Sequence, residues 1–273
     1  MTTQPASGYR SASAFATCAP ILLVAEALVS AAAALSDAYQ IRLLDMIRFD
    51  MPIPPDLTEA QDVRQRLLAG LEVGVSLPAL IVFLAWVYRA SRNARALGAE
   101  GMKYTPGWSV GWFFVPFANL VLPYLVMREI WQASRAEPGL EWRQSPISPV
   151  LGVWGVLRVA RGIIQYGPLP VLFGERSLAD MSLFGANWAN VQSNFYWGSL
   201  IAHLVSIALC VLTVVVVIRI TDLQELRRLR IELIARSVVE QAEEGALASR
   251  PVLRQEANVP GSPSSPFLRP SLP

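Results

Sequence analysis

The sequence predicts an all-α integral membrane protein: a bundle of four transmembrane helices plus one proline-broken segment that is either re-entrant or a fifth span. Three observations support this fold class. Of the 273 residues, 53% are hydrophobic and 16% are charged, whereas soluble domains contain roughly 45–50% apolar and about 25% charged residues. The mean hydropathy is +0.39. The charges are also clustered, so that five long runs hold at most two charged residues each.

Each of these five runs is long enough to cross a hydrocarbon core about 30 Å thick, which takes roughly 20 helical residues. The runs cover residues 17–36, 70–88, 104–127, 144–174 and 195–218. This composition excludes a soluble domain, a secreted disulfide scaffold and a disordered chain. The net charge is only +2 and no basic patch is present, so we expect no nucleic-acid partner.

The first predicted element is a transmembrane helix over about residues 16–36, which follows a disordered N-terminus of residues 1–15. The alternative is a cleavable signal peptide, since Ala31–Ala34 offers small residues for cleavage. A retained helix is favoured because the run is as long as a full span and only Arg10 precedes it as a basic side chain.

Residues 37–69 are predicted to form a loop region that contains an amphipathic stretch. The proline cluster in Met51–Pro55 interrupts it. Asp56 or Thr58 is expected to cap a helix that continues into the second span, over about residues 70–90. Pro78 lies inside that span, where it predicts a kink.

The third apolar run, residues 104–131, is predicted to be broken, because Pro106, Pro116 and Pro123 interrupt it and Asn119 lies between the last two. Two topologies are open for such a segment. In the favoured one it dips into the membrane and returns to the same side, with its freed backbone groups buried against protein. In the other it is a fifth span.

The arginine distribution favours the re-entrant topology. Residues 89–103 carry four basic residues and one acid, and residues 219–230 carry four basic residues and two acids, so both segments are expected in the cytosol. An even number of spans then lies between them and both termini are cytosolic. The four full spans are predicted at about 16–36, 70–90, 148–172 and 196–219, with residues 37–69 and 173–187 outside.

The chain is expected to continue beyond the last span as a cytosolic amphipathic helix over residues 221–249. Its leucines recur at positions 223, 226, 229 and 233. Residues 250–273 contain six prolines and few aromatic residues, a composition that predicts a disordered tail.

Residues 86–134 carry dense patterns of tryptophan, proline and glycine. The patterns are W-x-Y-R followed by N-A and L-G, then Y-x-P-G-W-x-V-G-W, then P-x-x-N-L-x-x-P-Y and M-R-E-x-W. They resemble a bacterial membrane family known as domain of unknown function 4328, with a looser likeness up to about residue 220. The residues that carry the resemblance include Arg89, Asn93, Pro106, Gly107, Trp108, Trp112, Pro116, Asn119, Pro123, Tyr124 and Arg128.

This resemblance implies a membrane topology and no catalytic residue. The chain departs from the family in its fourth run, where Arg158 and Arg161 interrupt a segment that is more uniformly apolar in such proteins. The aromatic rings of the patterns, among them Trp86, Trp108 and Trp131, are expected at the level of the lipid head groups.

Six polar side chains within the predicted spans form a candidate interior polar site. They are Glu26, Glu72, Arg158, Arg161, Gln165 and His203. The two arginines share a helix face because they are spaced i, i+3. An arginine at the centre of a span costs about 2.5–3.5 kcal/mol on insertion scales, and a partner or water reduces that cost.

Three interpretations of these arginines are open. The favoured one is a structural pair with a glutamate that holds the helices together. The second is an interior charged site for an anionic ligand or a proton-linked relay. The third is a helix that lies on the membrane surface, where the arginines contact lipid head groups.

One histidine and two isolated cysteines, Cys18 and Cys210, do not supply the ligands of a multi-histidine or multi-cysteine metal site. We therefore expect no metal and no cofactor, and a His203 that is hydrogen-bonded within the bundle. The sequence also contains no nucleophile motif with a recognisable base.

We predict a non-catalytic structural or interaction module of the bacterial cytoplasmic membrane. Its expected partners are membrane lipid and either a second copy or another membrane protein. The alternative is a small transporter or channel-like protein that uses the interior arginines, and a lipid-acting membrane enzyme is the least favoured function.

Overall fold

The computed structural model describes residues 8–52, 54–136, 141–166 and 188–248, and within these ranges the chain forms helices and no β-strand. The helices in chain order are α1 Ser13–Arg48, α2 Pro55–Ala96, α3 Pro106–Gly111, α4 Ala118–Arg135, a 3₁₀ turn Trp142–Gln144, α5 Pro149–Tyr166 and α6 Trp188–Ala248. The predicted all-helical class is confirmed. The predicted outer loop 173–187 and the proline-rich tail 250–273 lie outside the described residues.

Three helical segments of the described chain are long and apolar enough to cross a membrane. They are Ser13–Arg48, Asp56–Ala96 and Ala189–Ala246. The apolar helices support the membrane location that the composition predicts. α5 begins at Pro149, the start expected for the fourth run.

The loop predicted over residues 37–69 is wrong for residues 37–48, because α1 continues to Arg48. The helix predicted to continue into the second span does form, as α2 from Pro55. The proline cluster does interrupt the helices as predicted, but the N-cap residue of α2 is Pro54 rather than Asp56 or Thr58. The helix extends because its apolar side chains, such as Ile41 and Leu44, are buried in the bundle, which a hydropathy window does not detect.

α1 and α2 are antiparallel neighbours joined by hydrogen bonds at both ends. Near the start of α1, the Asn93 side-chain amide of α2 donates to the Arg10 carbonyl oxygen at 3.0 Å. Near the other end, the Gln61 side-chain amide donates to the Ser36 carbonyl oxygen at 3.1 Å. The side chains of Gln61 and Asn93 are both buried, so these bonds satisfy polar groups that water does not reach.

α6 runs in the same direction as α2 and makes the most extensive contact of any helix with α1. His203 lies beside Asp37 at 3.4 Å, and the Tyr9 hydroxyl donates to Glu225 at 2.6 Å. We call the end of the bundle that holds residues 9–12, 90–105, 129–136, 141–145 and 220–228 the basal end. The opposite end, with residues 36–37, 61–72 and 199–203, is the distal end.

α3 and α4 form a hairpin, and both of its outer ends lie at the basal end. On the incoming side, the Ser109 hydroxyl donates to Ser91 of α2 at 3.2 Å. On the outgoing side, the Glu129 carboxylate accepts the backbone amide of Lys103 at 2.5 Å. The turn between the helices contains Pro116, and Phe117 takes a φ of 60° there.

The predicted interruption of the third run therefore exists, with one difference in its position. The break covers residues 112–117, between α3 and α4. Pro116 lies in it, whereas Pro123 is inside α4. Asn119 stands in the first turn of α4, beside the tip of the hairpin.

The hydrophobic core lies toward the basal end and contains several aromatic residues. Fully buried members are Trp86, Val87, Met127, Ile130, Leu151, Trp154, Val216, Val217 and Ile220. The Trp86 indole donates to Thr221 at 3.0 Å, and the Trp154 indole donates to Thr213 at 2.9 Å. Trp86 and Trp131 are buried within the protein, whereas Trp108 is exposed; the head-group level of these rings stays a prediction.

The α4–α5 contact depends on a small residue at position 155. A Cβ atom at Gly155 would lie 2.5 Å from Cδ2 of Tyr124, so Gly155→Ala is expected to destabilise the protein by about 1–3 kcal/mol through overpacking. The measurement is the thermal midpoint of the detergent-purified protein.

A matched control lies one turn earlier on the same helix. A Cβ atom at Gly152 would meet no atom within 4 Å, so Gly152→Ala should leave the midpoint unchanged or raise it, because alanine has the higher helix propensity. Equal losses for Gly152→Ala and Gly155→Ala would contradict the close α4–α5 approach.

Candidate functional site

The two arginines of α5 point into the bundle rather than away from it. The Arg158 guanidinium donates to the Asn119 side-chain oxygen of α4 and lies 4.8 Å from the centroid of the Phe113 ring. The Arg161 guanidinium donates to the Ser206 hydroxyl of α6. The i, i+3 spacing thus places one arginine against the hairpin tip and the other against α6.

Both arginines line an interior cavity of about 280 Å³ that also receives the side chain of Glu26 from α1. The Glu26 carboxylate accepts a hydrogen bond from the Ser76 hydroxyl of α2 at 3.3 Å. Glu26 and Arg161 therefore share the cavity, and each has a neutral hydroxyl as its hydrogen-bond partner. A direct Glu26–arginine pair stays a prediction.

The structure does not bring all six candidate residues together. Glu72 and His203 lie one helical turn from the cavity toward the distal end, where the His203 Nδ1 atom is 3.2 Å from Glu72 Oε1. The Nε2 atom of His203 is 3.4 Å from Asp37 Oδ2. The Gln165 side chain lies outside the described residues.

We call Asp37, Glu72 and His203 the carboxylate–imidazole cluster. Its three side chains come from α1, α2 and α6, so one imidazole ring connects three helices. The Asp37 side chain is only 4% exposed, and its second oxygen accepts the Gln65 amide at 3.2 Å. A carboxylate that is buried to this degree is costly without such partners.

Asp37 is the member of the cluster that sequence reasoning missed, because the charge count placed it in an outer loop. Its neighbour His203 lies 166 positions later in the chain. The available signal was the amphipathic spacing of Ile41 and Leu44, which favours a helix that continues past Ser36.

Polar side chains that lie beside the family patterns in the sequence connect separate segments at the basal end. The Arg95 guanidinium donates to the Tyr104 carbonyl oxygen at 2.6 Å. The Gln132 side-chain amide donates to the carbonyl oxygens of Arg143 at 2.9 Å and Ser145 at 3.0 Å. These bonds join α2, the hairpin and the 3₁₀ turn into one basal layer.

Two further contacts tie the basal layer to α6 and to the N-terminal segment. The Gln224 amide donates to the Ala90 carbonyl oxygen at 2.9 Å and to the Ser134 hydroxyl at 3.0 Å. The Tyr9 hydroxyl donates to Glu225, and burial together with this hydrogen bond raises the pKa of Tyr9 above its ordinary value.

The remaining pattern residues shape the hairpin itself. Thr105 is the N-cap of α3 and accepts the Trp108 amide at 3.4 Å, with Pro106 in the first turn. The rings of Trp108 and Trp112 lie 4.8 Å apart. Arg89 and Gly107 line a shallow groove beside them, and Arg128 is exposed on α4.

One comparison with known proteins gives a match. The family described as a domain of unknown function (number 4328) matches residues 50–222. This range includes α2, the hairpin, α5 and the greater part of the apolar segment of α6, but not Glu26 and Asp37 of α1. No curated protein and no solved structure matches the chain.

Proposed function

Because the chain belongs to the family of domain of unknown function 4328, we propose that it is a non-catalytic multi-pass membrane protein that works as a structural and assembly module. The observation that carries this proposal is the use of the pattern residues. Trp86, Asn93 and Glu129 each use a polar group to join two segments of the chain. Such residues build a rigid basal layer rather than a reactive centre.

We further propose four membrane spans, α1, α2, α5 and α6, with the α3–α4 hairpin as a re-entrant segment. The hairpin supports this topology because it begins and ends at the basal end. The basal end also holds the arginine-rich segments 89–103 and 219–230, which favours its placement in the cytosol of a bacterium. Both termini are then cytosolic and the distal end faces outward.

This topology is tested by cysteine labelling in intact cells after replacement of Cys18 and Cys210. Arg135 is exposed at the end of α4, so Arg135→Cys is expected to resist an impermeant thiol reagent until the cells are permeabilised. Met51→Cys, in the exposed α1–α2 connection, is the matched control and should react in intact cells. Labelling of Arg135→Cys from outside would mean that the hairpin crosses the membrane.

The assembly surface that we propose is the last part of α6. Residues 229–248 continue beyond the basal layer as a helix, which adds about 30 Å at 1.5 Å per residue. Leu226, which lies just before this extension, forms a stripe of exposed side chains with Leu229 and Leu233 on it. Their spacing of three and four residues suits the seam of a two-stranded coiled coil, and a second copy presents the same stripe.

The proposed function is tested on this leucine stripe. Leu233→Glu is expected to convert a dimer into a monomer, because it places a charge in the seam. Val239→Glu introduces the same group at an exposed apolar residue about 120° around the helix, and should leave the dimer intact. Light scattering of the protein in detergent gives the mass, and Leu233→Cys disulfide formation in native membranes checks it. A monomeric wild-type protein with no such crosslink would rule out the assembly.

A second candidate function, a small transporter or channel-like protein, is favoured by one observation. Glu26, Arg158 and Arg161 line the same interior cavity, and Arg158 is held by Asn119 at the tip of the hairpin. Charged groups at this depth commonly mark a ligand or ion pathway.

A further inference from the structure

We infer that the cavity between α2 and α5 binds a single-chain amphiphilic anion from the membrane: a carboxylate head group that contacts Arg158 and Arg161, with an apolar chain that leaves through the side of α2. This inference deepens the second candidate function and rests on it for the location of the site. It requires binding and not translocation.

The charged groups on the cavity walls favour a monoanion. Two guanidinium groups and one carboxylate, that of Glu26, face the cavity. With all three ionised, their sum is +1, and one bound carboxylate makes the site neutral. A charge excess inside a helix bundle is costly, so an anion that removes it stabilises the bundle.

The arginines are held in place for such a head group. Arg158 is fixed by its hydrogen bond to Asn119 and by the Phe113 ring beneath it, and Arg161 is fixed by Ser206. A guanidinium presents five donors in a rigid plane that matches a carboxylate. Side chains that are already positioned lose little conformational entropy on binding.

The rest of the wall is apolar, and it is open on one side. Leu23, Ala79 and Phe83 line the inner part of the cavity. Leu77 and Leu80 line it as well, although they are 55% and 40% exposed on the outer surface of α2. This part of α2 lies within a candidate span, so the opening faces hydrocarbon rather than water.

These two properties together select the ligand class. A hydrophilic ion does not reach a site that opens into hydrocarbon, and a wholly apolar molecule makes no hydrogen bond with either guanidinium. The volume of about 280 Å³ is at the small end of ligand pockets. It fits a carboxylate and the first part of an acyl chain, while the remainder extends into the bilayer.

The test is binding of radiolabelled decanoate to the full-length protein in nanodiscs of zwitterionic lipid. We expect saturable binding that unlabelled decanoate displaces and that decanol or acetate does not. Arg161→Gln should weaken binding at least tenfold, and Arg161→Lys should recover part of it. Arg128→Gln, the same change at an exposed arginine of α4, is the matched control and should bind as the wild type does.

A second variant keeps the test independent of the charges. Leu80→Trp fills the opening and leaves both arginines in place, so it should also lose binding while the thermal midpoint of the unliganded protein is retained. Equal displacement by decanol would show that the site does not require an anionic head group. Displacement by acetate would show that it binds a small soluble anion rather than a membrane amphiphile. Unchanged binding in both Arg161→Gln and Leu80→Trp would overturn the inference. Saturable binding with a decanoate flux into proteoliposomes no greater than that into protein-free liposomes supports the inference and counts against decanoate transport.

Discussion

Trp86→Ala is expected to lower the free energy of unfolding by about 3–5 kcal/mol, the range seen when a large aromatic side chain is removed from a packed core. The Trp86 side chain is 0% exposed, its ring stacks on Phe83 at 5.9 Å, and its indole donates to Thr221. The truncation leaves a cavity and removes the hydrogen bond together. Chemical unfolding of the purified protein in mixed micelles measures the loss.

Two controls separate the parts of this effect. Trp108→Ala removes the same side chain from an exposed position and should cost far less. Thr221→Val removes the partner of the indole while it keeps the shape, and should cost about 1–3 kcal/mol, the penalty for a buried donor that is left unsatisfied. A Trp86→Ala loss no greater than that of Trp108→Ala would contradict the position of Trp86 in the core.

His203→Gln has the second largest expected effect, about 2–4 kcal/mol. It removes the imidazole that lies beside both Asp37 and Glu72, and so leaves two neighbouring carboxylates without the group between them. Breaking a buried charged contact costs about 3–5 kcal/mol in soluble proteins. The partial exposure of Glu72 reduces that figure.

The diagnostic for the carboxylate–imidazole cluster is non-additivity. His203→Gln combined with Asp37→Asn should be more stable than the sum of the two single losses predicts, because the double variant no longer contains an uncompensated buried carboxylate. Unfolding of the four proteins under one set of conditions gives the coupling energy. Strict additivity would show that His203 and Asp37 do not interact.

The features that the sequence predicts correctly depend on neighbouring residues. The prolines of the third run predict its interruption, because a missing amide donor acts on its own segment. The i, i+3 spacing of Arg158 and Arg161 likewise predicts that they share a face.

The features that it does not predict depend on residues that are distant in the chain. Asp37 is helical and buried because His203 and Gln65 contact it, and neither appears in a local count of charges. The depth of Glu72 relative to Glu26 is set by the packing of α1 against α2 and α6. The sequence therefore groups residues that the structure separates: Glu26, Arg158 and Arg161 line the cavity, whereas Glu72 and His203 belong to the carboxylate–imidazole cluster.

α6 is one uninterrupted helix of 61 residues, about 90 Å long. It carries His203 and, one turn later, Ser206 beside Arg161 in its first third, and the leucine stripe begins 20 residues after Ser206. Along a continuous helix, each residue adds about 100° of rotation as well as about 1.5 Å of length. The packing of α6 in the membrane bundle therefore fixes the direction in which Leu226, Leu229 and Leu233 face. One residue inserted after Ile220 would rotate the leucine stripe about the helix axis by about a quarter of a circle relative to the bundle. Seven inserted residues make nearly two full turns, so the stripe would face almost its original direction.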